Sequence, residues 1–249
     1  MAGHSKWNNI KRKKAANDEK RGKLWSKLAR NIIVAAKTGG GDPDTNLTIR
    51  YAIDKAREAN MPADTIEKAI QKGAGKLEGI EYVPALYEGY GAGGVAIIVD
   101  ALTDNPNRTG PEIKKIFERA GGKLGAANCV SWNFQTRGVF SIAADATDED
   151  TLMELVLEAG AEDVTREGGS FEVSCDVQSF DLVKKALAEG GISCQSAEIT
   201  KIPGTTVTVD ADTAAKVLRL IEAFEDHDDV QNVYSNFDMP DEVMAQLQA

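Results

Sequence analysis

The sequence predicts an α+β protein of three domains: a basic three-helix bundle, a discontinuous α/β domain, and a ferredoxin-like βαββαβ domain inserted into it. Three observations carry this. The segment before Gly79 shows only helical periodicity, while the rest alternates short β-forming runs with helical stretches. The order strand, helix, strand, strand, helix, strand occurs once in full, between residues 138 and 202. The length of 249 residues also exceeds what one small core accommodates.

The helical segment begins at Asn17, a capping residue followed by Asp18 and Glu19, which suit the positive end of a helix. Leu24, Leu28, Ala29, Ile32, Ala35 and Ala36 then recur at helical spacing until Gly39, so residues 18–38 read as one amphipathic helix. The turn-rich Gly39 to Asn46 leads to a second helix with Leu47, Ile49, Ala52, Ile53 and Ala56. Asn60-Met61-Pro62 ends it and opens a third, with Pro62 at the tolerated first position and Ile66, Ala69 and Ile70 as its apolar face. Each stripe is too narrow to be stable alone, so mutual burial must hold the bundle together.

Strands are expected at 84–90 and 94–102, then a helix from about Arg108 to Ala120 with Ile113, Ile116 and Phe117 inward. The inserted unit follows as strand 138–144, helix 148–159, strands 162–167 and 170–175, helix 178–189 and strand 192–202. The last piece, strand 205–209, helix 211–225 and strand 230–237, is too small to bury its own sheet. It is expected to return and complete the sheet begun before the insertion. Domains are thus expected at 1–78, at 79–134 with 204–249, and at 135–203.

Charge is segregated along the chain. Residues 1–76 carry a net +9 and residues 77–249 a net −19, so the overall −10 conceals a basic head on an acidic body. Within the head, Lys6, Lys11, Arg12, Lys13, Lys14, Lys20, Arg21, Lys23, Lys27, Arg30 and Lys37 face only Asp18 and Glu19 before residue 38. One sign concentrated in one segment attracts polyanions whatever the total charge. Projected at about 100° per residue, Lys23, Lys27 and Arg30 fall within roughly 80° of Lys20. Leu24, Trp25, Leu28, Ile32 and Ala35 take the other side, with Arg21 among them. A basic stripe opposite the buried face therefore continues the Lys11 to Lys14 cluster as one track. Trp7 among these bases either stacks on an unpaired nucleobase or folds back on the bundle.

Other chemistries are poorly supplied. No apolar run is long enough to span a bilayer and the opening residues are too polar for a secretory signal, which predicts a cytoplasmic protein without a membrane partner. Cys129, Cys175 and Cys194 are odd in number and far apart, which fits reduced packing residues. With only His4 and His227, no histidine metal or catalytic cluster is expected, and no cofactor is assigned. Gly89, Gly91 and Gly94 match G-x-G-x-x-G, but a strand follows where a dinucleotide site needs a helix, so a turn requiring positive φ is the better explanation. The acidic runs at 148–150 and 225–229 read as solvated helix ends rather than a catalytic pair. No nucleophile elbow or phosphate-binding loop is present, and the protein is expected not to be an enzyme.

Several long motifs resemble one family. MAGHSKW at the start, RGKLWSKLARNI from Arg21, DPDTN from Asp42, NMPADTIEKAI from Asn60, YEGYGAGGVAIIVDALTDN from Tyr87 and NVYSNF from Asn232 together are similar to the YebC family over nearly the whole chain. Ala92 stands where that family has proline, and Pro106 where a basic residue is usual. The resemblance implies a helical first domain, two α/β domains around a cleft, and no catalytic activity. It also implies a regulator of gene expression, either a DNA-binding transcriptional regulator or a ribosome-associated factor that relieves stalling at proline-rich stretches. DNA, ribosomal RNA and basic ribosomal proteins are the partners expected. By position the resemblance carries Lys6, Arg21, Lys23, Lys27 and Arg30 over as the matching bases, with Trp7 as a further contact.

Overall fold

The computed structural model describes residues 18–167, 169–240 and 243. Three helices open it: α1 (Asp18–Gly39), α2 (Leu47–Glu58) and α3 (Ala63–Gly73). Leu28, Ile32, Ile49, Ile53, Met61, Ile66 and Ala69 bury their side chains against one another, the apolar stripes anticipated from periodicity. Asn46 fixes the first corner. Its Oδ1 caps α2 by accepting from the Ile49 N–H at 3.2 Å, and its Nδ2 donates to the Ala35 and Gly40 carbonyls at the end of α1. Pro62 lies one place earlier than expected, at the N-cap of α3 with extended ψ rather than inside the helix. Gly73 sets the approach of α3 to α1, because a Cβ there would lie 2.3 Å from the Ile33 carbonyl oxygen. Gly73→Ala is therefore expected to destabilise the bundle by about 1–3 kcal/mol through overpacking, read as a lower urea midpoint.

The chain next enters the antiparallel pair β1 (Val83–Tyr90) and β2 (Ala96–Thr103), followed by α4 (Pro106–Arg119) and the short β3 (Lys123–Leu124). Pro106, the departure from the family pattern, occupies the first turn of α4, where a missing N–H costs nothing, and Asn105 caps it. Of the three glycines in G-x-G-x-x-G, only Gly94 has positive φ, shared with its neighbour Gly93. Gly89 is needed for a different reason. A Cβ there would meet the Lys123 carbonyl oxygen at 2.4 Å and the Phe117 ring at 2.9 Å, so the turn explanation holds for one glycine and close packing accounts for another.

The insertion comprises β4 (Phe134–Ala143), α5 (Glu149–Glu158), β5 (Ala161–Glu167), β6 (Ser170–Cys175), α6 (Phe180–Glu189) and β7 (Cys194–Pro203). Its sheet has the order β5-β6-β4-β7, antiparallel throughout, which is the ferredoxin-like arrangement. Phe140 stacks on Phe180 at 4.8 Å within a core that includes Ile142, Leu152, Val156, Phe171 and Val173. Cys175 is buried there and its thiol is pushed up to about 11, first by burial and then by the nearby Asp176 and Glu162 carboxylates. That makes it an inert packing residue. Residues 132–206 form one compact unit, and the helices and strands on either side of it in sequence form another.

After the insertion come β8 (Val207–Thr208), α7 (Ala211–Glu225), β9 (Val230–Ser235) and β10 (Phe237–Asp238). β9 pairs antiparallel with β2, Val233 opposite Val99, giving the order β3-β1-β2-β9. The final segment thus completes a sheet begun more than a hundred residues earlier, as its size required. Helices α4 and α7 supply Ile113, Phe117, Val217, Ile221 and Phe224 to the core with Ile97, Val99 and Val233, and Phe117 meets Phe224 edge-on at 4.7 Å.

Glu88 on β1 is buried, and it holds the loop after β3. It accepts from the backbone N–H groups of Asn128, Val130 and Ser131 at 2.8–2.9 Å. Burial alone would raise its pKa, but those donors outweigh it and hold the carboxyl below its usual range. Glu88→Ala would orphan three amides, with an expected loss of about 3 kcal/mol in urea unfolding at neutral pH. A depressed carboxylate contributes fully above its unfolded pKa of about 4.3 and loses that contribution as pH falls through the folded value, so mutant and wild type converge in acid.

Candidate nucleic-acid interface

The predicted track begins in the arm, and Lys6, Trp7, Lys11, Arg12, Lys13 and Lys14 lie outside the described residues. It continues on α1, which contains Lys20, Arg21, Lys23, Lys27 and Arg30. Arg21 and Lys23 are exposed in the first turns. The apolar side of the helix packs as anticipated from Trp25 onward, with Trp25 half-buried and its Nε1 donating to the Ala59 carbonyl at the end of α2, whereas Leu24, expected on that side, is 46% exposed.

Further along, the helix meets a second surface. Lys27 Nζ donates to the Glu225 carbonyl at 2.5 Å. Arg30 Nη1 donates to the Asp228 carbonyl at 2.6 Å and to Asp229 Oδ1 at 2.9 Å, while its guanidinium lies over the Tyr82 ring at 5.1 Å. The lower half of the stripe is therefore anchored to the turn after α7, which corrects the expectation of one uninterrupted exposed track. The physical reason is tertiary: projecting an isolated helix cannot reveal a partner some 198 residues away.

That turn also departs from expectation. The sequence predicts Glu225, Asp226, Asp228 and Asp229 as solvated surface, yet Asp229 is only 2% exposed. Its Oδ2 accepts from Arg108 Nη2 at 2.5 Å and from the Thr109 hydroxyl at 2.7 Å, while Oδ1 takes Arg30. Burial pushes its pKa up, but the Thr109 hydroxyl and the Arg108 and Arg30 guanidiniums more than offset this and hold the carboxyl below its usual range. His227 braces the turn, its Nδ1 accepting the Asp229 N–H at 3.2 Å and its Nε2 lying 3.0 Å from Glu112 Oε2. One buried carboxylate thus joins α1, α4 and the turn before β9. Sequence reading missed Asp229, Thr109 and Tyr82. The local sequence around Arg108, LTDNPNRT, shows a base able to pair with an acid but does not say which one.

The remaining surface offers little chemistry of another kind. Among the described residues no group of three or more His, Cys, Asp or Glu is placed to hold a metal ion. Nor is any helix among them long and apolar enough to cross a membrane.

A family model described as the TACO1/YebC protein N-terminal domain matches residues 5–76, and one described as the TACO1/YebC second and third domain matches 82–237. The chain belongs to the TACO1/YebC family. A relative from Dictyoglomus thermophilum is 52% identical over 248 residues, covering 99% of this chain and all of the relative, and another from Natranaerobius thermophilus is 53% identical over 247 residues, covering 98% of this chain and 99% of the relative. Both bear the name probable transcriptional regulatory protein. The crystal structure of a conserved hypothetical protein from Aquifex aeolicus superposes with a TM-score of 0.79 at 45% identity, covering 90% of this chain and 92% of the other. A further relative, from Desulforapulum autotrophicum, likewise bears a name of the transcriptional regulatory type, so these names support a regulator-type family role. The basic N-terminal motif and the anchoring turn both fall within the matched segments.

Proposed function

We propose that this protein is a non-enzymatic, nucleic-acid-binding regulator of gene expression, gripping a sugar-phosphate chain with its basic arm and the first turns of α1. The observation that carries this reading is the division of labour on α1. Lys27 and Arg30 brace the helix against the acidic turn, and Arg21 and Lys23 are exposed ahead of them, continuous in sequence with Lys6, Lys11, Arg12, Lys13, Lys14 and Lys20. A rigid basic helix preceded by a basic arm matches the electrostatic footprint of polyanion binding. If about six of these groups meet phosphates on a duplex, log K falls against log salt with a slope of about −5. The relatives' name supports transcription as the process, and DNA is the nucleic acid on which that process acts.

A second reading is a translation factor associated with ribosomal RNA that relieves stalling at proline-rich stretches. The net −19 of residues 77–249 favours it, because that surface repels a duplex and complements basic ribosomal proteins. Sedimentation of lysate with and without ribonuclease, together with duplex-DNA binding across a salt series, separates the two. Co-migration with ribosomes lost on ribonuclease treatment supports the translation reading, whereas duplex binding without co-migration supports the transcriptional one. Neither form of binding would overturn both.

A further inference from the structure

Beside the anchored half of α1 the second face of the main sheet is left partly open. Leu86, Asp100 and Asn232 lie side by side on β1, β2 and β9, with Pro84 and Leu102 in the next row. With Asn31 of α1 and Gln231, they line a pocket of about 380 Å³. That volume falls in the range of small-molecule sites, about 300–1,000 Å³. The floor is apolar and the polar groups are mainly carboxamides. Gln231 Oε1 is buried with no donor, and the Asn31 and Asn232 side chains make no hydrogen bond among the described residues. Gln231 Nε2 donates to the Asp229 carbonyl at 3.4 Å, so its buried Oε1 is the orphaned atom, which is unusual because buried polar groups are normally satisfied, while the half-exposed Asn31 and Asn232 present their amides to the pocket.

The chemistry of the lining selects its occupant. Carboxamides present a donor and an acceptor together, which matches the edge of a nucleobase. Leu86, 49% exposed, and Pro84 offer flat apolar area to its face. No Lys or Arg among the described residues lines the pocket, so phosphates are directed elsewhere. Lys23, Lys27 and Asn31 follow one another at i, i+4 along one side of α1, so the ridge runs from exposed cation to amide over about 12 Å. We infer that this pocket receives an unpaired nucleobase of a strand whose phosphates lie along the start of α1. The inference rests on the nucleic-acid reading above and adds to it a preference for single-stranded segments.

The test uses the full chain and two single strands of equal length, oligoadenylate and an abasic sugar-phosphate polymer. The wild type is expected to bind oligoadenylate about tenfold more tightly, the scale of one base contact. Asn232→Leu and Asn31→Leu, each of which removes an amide, bring that ratio close to one while leaving the salt slope unchanged. Equal binding of both strands by the wild type would overturn the pocket and leave the proposed function standing, as would failure to bind either single strand while duplex DNA or ribosomal RNA is still bound; failure to bind single strands, duplex DNA and ribosomal RNA alike would overturn both. Free adenosine distinguishes the source of the base. Side-chain amide resonances of Asn31 and Asn232 that move with the strand and not with adenosine assign the base to a polynucleotide. Equal movement with adenosine supports nucleobase recognition with a soluble nucleoside as its source.

Discussion

Asp229→Ala is expected to cost about 3–5 kcal/mol of stability, because removing one partner of a buried ionic cluster leaves uncompensated charge behind. The lower end is favoured. Arg108 keeps Asp104 and Glu112 within 3.1 and 3.7 Å, whereas Arg30 loses its carboxylate partner and Thr109 loses an acceptor. Asp229→Asn, which keeps one acceptor oxygen, should lose less. The pH dependence follows from the depressed carboxyl. Its contribution is complete above the unfolded value of about 3.9 and disappears as pH falls through the lower folded value, so wild type and Asp229→Ala converge in stability at acid pH. Urea unfolding at neutral pH and in acid checks both statements. An unchanged midpoint at neutral pH would remove the turn as an anchor of α1.

The second large effect concerns binding rather than stability. Reversing Lys20, Arg21 and Lys23 to glutamate should make the salt slope shallower by about 3, one for each phosphate contact. At about 1 kcal/mol per contact, affinity for either a duplex or ribosomal RNA falls roughly a hundredfold at low salt. Thermal stability should change less than with a substitution at the anchored Arg30, since Arg21 and Lys23 are exposed and Arg30 is not. Arg30→Gln should behave in the opposite way. Its guanidinium serves Asp229, the Asp228 carbonyl and the Tyr82 ring, so its loss lowers the unfolding midpoint and moves the salt slope little. The contrast between these two variants separates the cations proposed to meet phosphates from those that position the helix.

These predictions also show where sequence reading succeeds and where it stops. Periodicity placed α1, α2 and α3, and the helix at 211–225 agrees with the structure at both ends. The reason is that apolar spacing and capping residues such as Asn46 and Asp210 act within a few residues of one another. The return of β9 to β2 was legible from economy: a strand and helix alone could not bury a sheet. Long-range pairing of charges was not. Asp229 is indistinguishable in sequence from its neighbours Asp226 and Asp228, and only the fold takes it inside to Arg30 and Arg108. The same holds for the amide-lined pocket, whose residues come from α1, β1, β2 and β9 and share no local pattern. Helix projection correctly separates Leu28 and Ile32 from the bases, but it reads the opposite face as one open basic track when Lys27 and Arg30 on that face have protein partners.

The most direct test of the account is the slope of log K against log salt for the full chain and for a chain lacking residues 2–17, measured on duplex DNA and on ribosomal RNA. On the duplex, removing the five arm cations should make the slope shallower by about 4 if each meets a phosphate, with the remaining domains still folded. A slope that the deletion leaves unchanged, or a full chain whose binding is indifferent to salt, would contradict the claim that the basic head docks on a sugar-phosphate backbone.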